Sequence, residues 1–490
     1  MGFSLRVAGA LKLASGAAIG SVLQGFSMGI IAGTLSPIVA EFGLEQRSGL
    51  QGLIAASATY GAIAGSLGSG RLGDAAGRRG TLMVSSALFL IGGVGMAVCT
   101  NVHTLVVGRL IAGIAAGLVS SSVNTYIAES SQPEVRGALS MLPQLGISSG
   151  ILLSYVVALG ALLRGVGWRP MLGFSVGLAT LQVIALAALP ESPRWLLSQR
   201  ADVAAARAAL TRLRGSADAE AVEAELMQLS EGLRQEGRSA AAAAATATAA
   251  MATKQPTSAS GWAALSEPGV RHTLGVCCTL QAFQQLCGVN AIVFFTPQIL
   301  AACGVVRLFE RWGVSAPVAP LLATILAYLP KIPTALLAVR LIESLGRRQL
   351  LVTFTPLLAL CVGALALSVG GSSVGSAAAA TAAVTLFGVV FGLSLGPLPN
   401  IISAELYPTR ARSAGVAAAT GVQFLSNAFV VAAFPVLRTS LGERTVLGAF
   451  AVLSALAWLF VLRCVPETKG RRLEDMSHSI QEPPTRRKAA

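Results

Sequence analysis

Residues 350–403 read LLVTFTPLLALCVGALALSVGGSSVGSAAAATAAVTLFGVVFGLSLGPLPNIIS, more than fifty positions without one charged side chain. A helix rises about 1.5 Å per residue, so a hydrocarbon core about 30 Å thick takes about 20 apolar residues. The stretch therefore holds two spanning helices and the turn between them. Ser149–Leu163 is likewise uncharged. Across the whole chain 54% of residues are hydrophobic and 12% charged, with mean hydropathy +0.70. A soluble chain of 490 residues needs far more charge to cover its surface. The fold class is all-α, embedded in a lipid bilayer.

Apolar runs broken by charge, Pro or Gly predict twelve transmembrane helices. Their limits are 14–38, 50–70, 80–99, 105–128, 138–161 and 169–189, then 270–299, 317–340, 350–370, 377–402, 413–437 and 445–464. The chain accordingly divides into a six-helix half over 1–189, a polar loop over 190–268, a second half over 269–465 and a tail over 466–490. Within the loop, Ala240–Ser260 is an Ala/Thr/Ser tract that reads as a linker. The formal charge of +14 is no nucleic-acid signal. Lys and Arg gather in short connections and at the termini, as the positive-inside rule requires, without aromatic interleaving. A basic cytoplasmic loop puts both termini in the cytoplasm. Seven scattered cysteines fit neither a disulfide framework nor a zinc site.

The chain repeats itself. Asp74, Arg78 and Arg79 follow the second span, and Glu343, Arg347 and Arg348 follow the eighth. Glu129 with Arg136 follows the fourth, and Glu405 with Arg412 follows the tenth. Pro190-Glu191 closes the sixth and Pro466-Glu467 the twelfth. These recurrences mark two pseudo-symmetric six-helix halves. Carriers built so bind substrate where the repeats meet, near mid-membrane. The duplicated acid/base clusters are expected to pair helices and to act as an inner gate. Exposed pairs contribute only about 0–1 kcal/mol, so duplication rather than charge favours the gate.

Several motifs, in order, resemble the sugar porter family of the major facilitator superfamily. They are Gly70-Arg-Leu-Gly-Asp74-Ala-Ala-Gly77-Arg78-Arg79, Gly108-Arg109 with Tyr126-Ile-Ala-Glu129 and Arg136-Gly137, Pro190-Glu-Ser-Pro-Arg-Trp195, Gln281 with Gln284-Gln285-Leu-Cys-Gly-Val-Asn290, and Pro466-Glu-Thr-Lys-Gly470. The resemblance runs from the first span to the tail and implies the major facilitator fold and hexose transport. Sugar recognition needs amides that donate and accept on an apolar wall. Gln144, Gln284, Gln285, Asn290, Asn400 and Gln423 are the candidate ligands. Gln284 and Gln285 point about 100° apart on a helix, so one faces the cavity and the other a neighbour. Phe294 and Phe295, where the family often carries Tyr, are the candidate outer gate. A helix break is expected just after Asn290, with bending at Pro297, and another at Gly396-Pro397-Leu398-Pro399. Lys331, between Pro330 and Pro333, replaces a family amide and either meets substrate or snorkels along a broken helix.

Departures carry information too. Ser27 stands where proton-coupled relatives have an acid near the counterpart of Arg109, and serine does not titrate in the physiological range. Facilitative uniport is therefore expected over proton symport. Asn400 replaces a Trp of many glucose carriers, Gly392 an acid and Ala75 an arginine, which leaves the choice among glucose, fructose, galactose and polyols open. No nucleophile–base pair, metal cluster or phosphate-binding glycine loop is present, so no enzyme, metal or cofactor is expected. The expected partners are a hexose and lipid, with the monomer as functional unit. The expected location is the plasma membrane, with an internal, vacuolar membrane as alternative. A non-transporting sugar sensor is the rival of another class.

Overall fold

The computed structural model describes residues 2–132, 139–214, 219–220, 222–235, 265–310, 312–371, 373–407 and 411–468. Among the described residues all regular structure is helical, and twelve helical spans follow one another. The first six are Gly2–Phe42, Ser48–Ala76, Arg78–Ala97, Val102–Ser130, Leu142–Leu163 and Trp168–Ala188. The seventh is interrupted, Pro268–Leu286 then Val289–Ala302, as is the eighth, Val318–Tyr328 then Lys331–Leu345. The ninth is Arg347–Ser368, and the tenth breaks into Val374–Leu393 and Leu398–Leu406. Arg412–Leu441 and Glu443–Cys464 complete the set.

Eleven of these are both long and apolar enough to cross a membrane. The exception is the second, 29 residues rich in Gly, Ser and Ala. Its composition serves packing rather than hydropathy. A Cβ on Gly61 or Gly65 would lie 2.1 Å from the carbonyl oxygen of Leu110 or Ile114. Reciprocally, a Cβ on Gly113 or Gly117 would lie 2.1 or 2.3 Å from that of Ala58 or Ala62. Two small-xxx-small stripes face each other so closely that backbone touches backbone.

By contacts the chain forms two compact units. The first comprises Met1–Met28, Ser57–Leu153 and Arg169–Ser258; the second comprises Gly29–Ala56, Ser154–Trp168 and Ala259–Ala490. The division does not follow the repeat, because one end of the first, second and fifth spans packs into the second unit. There Gln298 Nε2 donates to Ser36 Oγ at 3.3 Å, and Trp168 Nε1 donates to Glu41 Oε2 at 2.7 Å. In the first unit the loop helix Val203–Arg214 packs with helical residues 222–235. Ala206, Leu210, Val222 and Leu226 make a small core closed by Leu196 and Leu197.

Candidate functional site

The seventh span breaks at Cys287–Gly288, earlier than the sequence suggested. Gly288 has φ 84, and a Cβ there would lie 2.5 Å from the Phe450 ring, so only glycine fits. Pro297 produces no break and sits inside the continuous helix Val289–Ala302. The tenth span breaks where expected, leaving Leu395 and Gly396 carbonyls outside any helix. Gln284 Nε2 donates to both, at 2.7 Å each. Its Oε1 in turn accepts from Gln285 Nε2 at 3.1 Å and from Gln423 Nε2 at 2.8 Å. Asn290 Nδ2 donates to Gln285 Oε1 at 2.6 Å. One turn back, Gln281 Nε2 donates to Asn400 Oδ1 at 2.7 Å, while the buried Gln281 Oε1 has no partner.

This is a connected shelf of amides on the seventh, tenth and eleventh spans, with Gln284 as its hub. Gln284 and Gln285 are both buried. Asn290 and Gln423 are partly exposed and Asn400 is exposed, so their remaining donors and acceptors stay open to a ligand. Gln281 was quoted within a motif but not singled out as a ligand; its orphaned oxygen appears only in three dimensions. Gln144 is exposed on the fifth span, in the first unit.

Lys331 opens the second segment of the eighth span and lines a pocket with Tyr328, Thr324, Val293, Phe387 and Phe391. Its Nζ donates to Tyr328 Oη at 3.0 Å and stands 4.7 Å from the centre of that ring. The side chain therefore turns into the protein. Phe294 and Phe295 are each 2% exposed, and Phe295 packs on Phe434 at 4.8 Å between ring centroids. Both rings belong to the interior of the second unit. In the first unit Ser27 and Arg109 are buried, at 7% and 1% exposed.

A family profile described as "Sugar (and other) transporter" matches residues 13–479. The chain belongs to that family. It is 31% identical to the glucose transporter GlcP of Staphylococcus epidermidis over 95% of this chain and 96% of that one. To the galactose-proton symporter of Escherichia coli strain K12 it is 30% identical, over 95% and 93%. Its fold is similar to the inward open conformation of the Escherichia coli xylose transporter XylE, with a TM-score of 0.78 at 24% identity over 96% of this chain and 99% of that one. The XylE proton:xylose symporter bound to 6-bromo-6-deoxy-D-glucose is similar at a TM-score of 0.69 and 24% identity, over 97% and 100%. The major facilitator fold and a multi-pass membrane protein follow, and so does a transporter rather than an enzyme.

In this transporter the duplicated charges form two matching anchors, each within one unit. Arg78 Nε donates to Glu129 Oε2 at 3.0 Å, and its Nη1 meets Asp74 Oδ1 at 3.3 Å. Glu191 accepts from the backbone N–H of Arg78 and Arg79 at 2.9 Å each and of Gly80 at 3.2 Å. A carboxylate on the free N–H groups of a helix start satisfies them and complements the dipole. Gly77, φ 85, leaves the room: a Cβ there would sit 2.3 Å from Glu191 Oε2. The second copy repeats the plan. Arg347 Nη2 donates to Glu405 Oε1 at 2.9 Å, and Glu467 accepts from the N–H of Arg347 and Arg348 at 3.0 and 3.1 Å. Arg79 and Arg348 instead donate to carbonyls, of Leu186 and Val465, and Arg412 to that of Tyr407. Arg136 lies outside the described residues, as does the side chain of Glu343. Glu191 and Glu467, which the sequence shows only as parts of closing motifs, are thus the carboxylates that hold these helix starts.

Proposed function

We propose that this transporter carries a hexose by facilitative uniport through alternating access. The observation that carries the uniport reading is the distribution of acids along the spans. Asp and Glu occur in them only at Glu41, Asp74, Glu129, Glu343, Glu405 and Glu443, all within three residues of a helix end. His103 is the second residue of its helix and His272 the fifth of its own. A proton carried through the membrane needs a group that titrates along the path, and Ser27 is no such group.

The sugar sits on the amide shelf, its hydroxyls bonding the accessible amides of Asn290, Asn400 and Gln423. Gln144, exposed on the fifth span, is the candidate sugar-binding amide of the first unit. Amides suit the task because they accept and donate at once. The Asp74/Arg78/Glu129 and Arg347/Glu405 anchors brace each half as it moves, at the inner ends of the helices. Basic residues in the long loop orient that end toward the cytoplasm, in the plasma membrane.

The test is uptake of labelled glucose into proteoliposomes, with and without an inward proton gradient, using fructose, galactose and inositol as competitors. Equilibration indifferent to the gradient is the expected result. Accumulation above the external concentration would replace uniport by symport, and no flux of any sugar would favour a sensor.

A further inference from the structure

Lys331 is a cation within a membrane span, and such groups are costly unless paired or functional. Its recorded partner is neutral, the Tyr328 hydroxyl at 3.0 Å, backed by the Tyr328 ring. Among the described residues no carboxylate pairs with it. The pocket it faces is otherwise lined by apolar side chains and by Thr296 and Thr324, whose hydroxyls already donate to Ile292 and Pro320 carbonyls of their own helices. One ammonium and one phenol thus stand in an apolar slot with nothing anionic to meet them.

The slot joins the amide shelf through the backbone. Phe391 lines it, and the Phe391 carbonyl accepts from Gly396 N at 2.8 Å. The Gly396 carbonyl is in turn held by Gln284. On the other side Val289 lines the slot and Asn290 follows it into the shelf. A ligand that bridged the shelf and the slot would bring one end to Lys331.

We propose that the preferred substrate is a hexuronate, a hexose whose terminal carbon is a carboxylate, with that carboxylate paired to Lys331 Nζ and the Tyr328 hydroxyl. The inference rests on the sugar-transport reading and narrows its substrate class. A carboxylate balances the single ammonium and accepts from both donors. A phosphate dianion calls for more donors, of the forked kind that arginine supplies, and the slot has none.

The experiment uses the full chain in proteoliposomes with labelled glucuronate and labelled glucose, unlabelled gluconate and glucose 6-phosphate as competitors, and the variants Lys331→Asn and Lys331→Arg. The expected result is half-saturation for glucuronate at least about tenfold below that for glucose. Lys331→Asn should lower this preference at least about tenfold and Lys331→Arg should keep it. Glucuronate entry should also speed up under an inside-positive potential, while glucose entry does not respond. Several outcomes overturn the inference while leaving sugar transport standing: glucose enters and glucuronate neither enters nor competes, glucose 6-phosphate competes better than glucuronate, or Lys331→Asn weakens both substrates equally. Flux of neither sugar would bring down the transport reading itself. Should Lys331→Asn fail to fold, preference and potential dependence in the native chain and in Lys331→Arg decide the matter.

Discussion

The Tyr155 hydroxyl donates to the Val293 carbonyl at 2.9 Å, and that carbonyl is the one Pro297 cannot bond. Proline has no N–H, so the residue four positions earlier loses its helical partner, at a cost of about 3 kcal/mol in a helix interior. Within a bilayer no water replaces it, and neighbouring side chains must. Trp458 does the same for the ninth span: its Nε1 donates at 3.1 Å to the carbonyl of Val352, four residues before Pro356. These two contacts explain why Pro297 and Pro356 lie inside continuous helices.

Tyr155→Phe should therefore destabilise the protein by about 1–3 kcal/mol, the cost of an unsatisfied buried acceptor. In a Pro297→Ala background the helix supplies its own N–H, and the same substitution should cost less than half as much. Unfolding in detergent followed by circular dichroism, run as a double-mutant cycle, reads the difference. Equal costs in both backgrounds would reject the pairing.

Gln284 is the hub of the amide shelf, so Gln284→Ala strips partners from two carbonyls and two amides at once. Transport should vanish and the melting temperature fall. Gln423→Leu removes one arm only. It should raise the half-saturation concentration severalfold with a smaller loss of stability, as measured by counterflow and thermal unfolding of the same preparations.

Backbone contact between the second and fourth spans leaves no room for a side chain. Gly113→Leu should give no monodisperse protein on size exclusion, because the Ala58 carbonyl 2.1 Å from the new Cβ is backbone and cannot swing away. Gly68, with nothing within 4 Å of a Cβ, should accept alanine without loss.

Arg78 and Glu129 are 18% and 12% exposed, whereas Arg207 and Glu223 in the loop helices are 50% and 42% exposed. The exposed pair should show a coupling of about 0–1 kcal/mol. Removing one partner of the half-buried pair should cost up to about 3–5 kcal/mol, since a charge is then left without its counter-ion. Cycles with Arg78→Gln and Glu129→Gln, and with Arg207→Gln and Glu223→Gln, compare them directly.

Ser27→Asp places a titratable acid in the middle of the first span, whose only native acid is Glu41 near its end. Glucose uptake by this variant should become sensitive to an inward proton gradient while the native protein stays insensitive. The two are compared in the same vesicles at the same internal pH.

Much of the architecture was legible because lipid imposes it. Runs such as Leu350–Ser403 have no soluble alternative, and the predicted span limits fall within a few residues of the observed helices, except that the first begins earlier and the second and eighth run on to Ala76 and Leu345. The second span was legible as an uncharged run over 50–70, although the helix as a whole is not apolar enough to count as a span by hydropathy. The break at Gly396-Pro397 was legible from its residues. The break in the seventh span was misplaced because Pro297 is the louder local signal, and only Tyr155, over a hundred positions away, silences it. Which of two adjacent glutamines faces what was likewise open. Both prove to be buried members of one network, which the tenth span's freed carbonyls and the eleventh span's Gln423 complete.

The sequence by itself determined that this chain is helical, spans a membrane in two related halves and belongs among sugar transporters, since hydropathy, repeats and motifs are properties of residues in order. Tertiary structure alone decided that Lys331 turns into a pocket, that Phe294 and Phe295 are both buried, and that Glu191 and Glu467 cap helix starts. Those outcomes depend on which polar groups are left without water and which distant partners come within about 3 Å of them, and distance through space is not written in the order of residues.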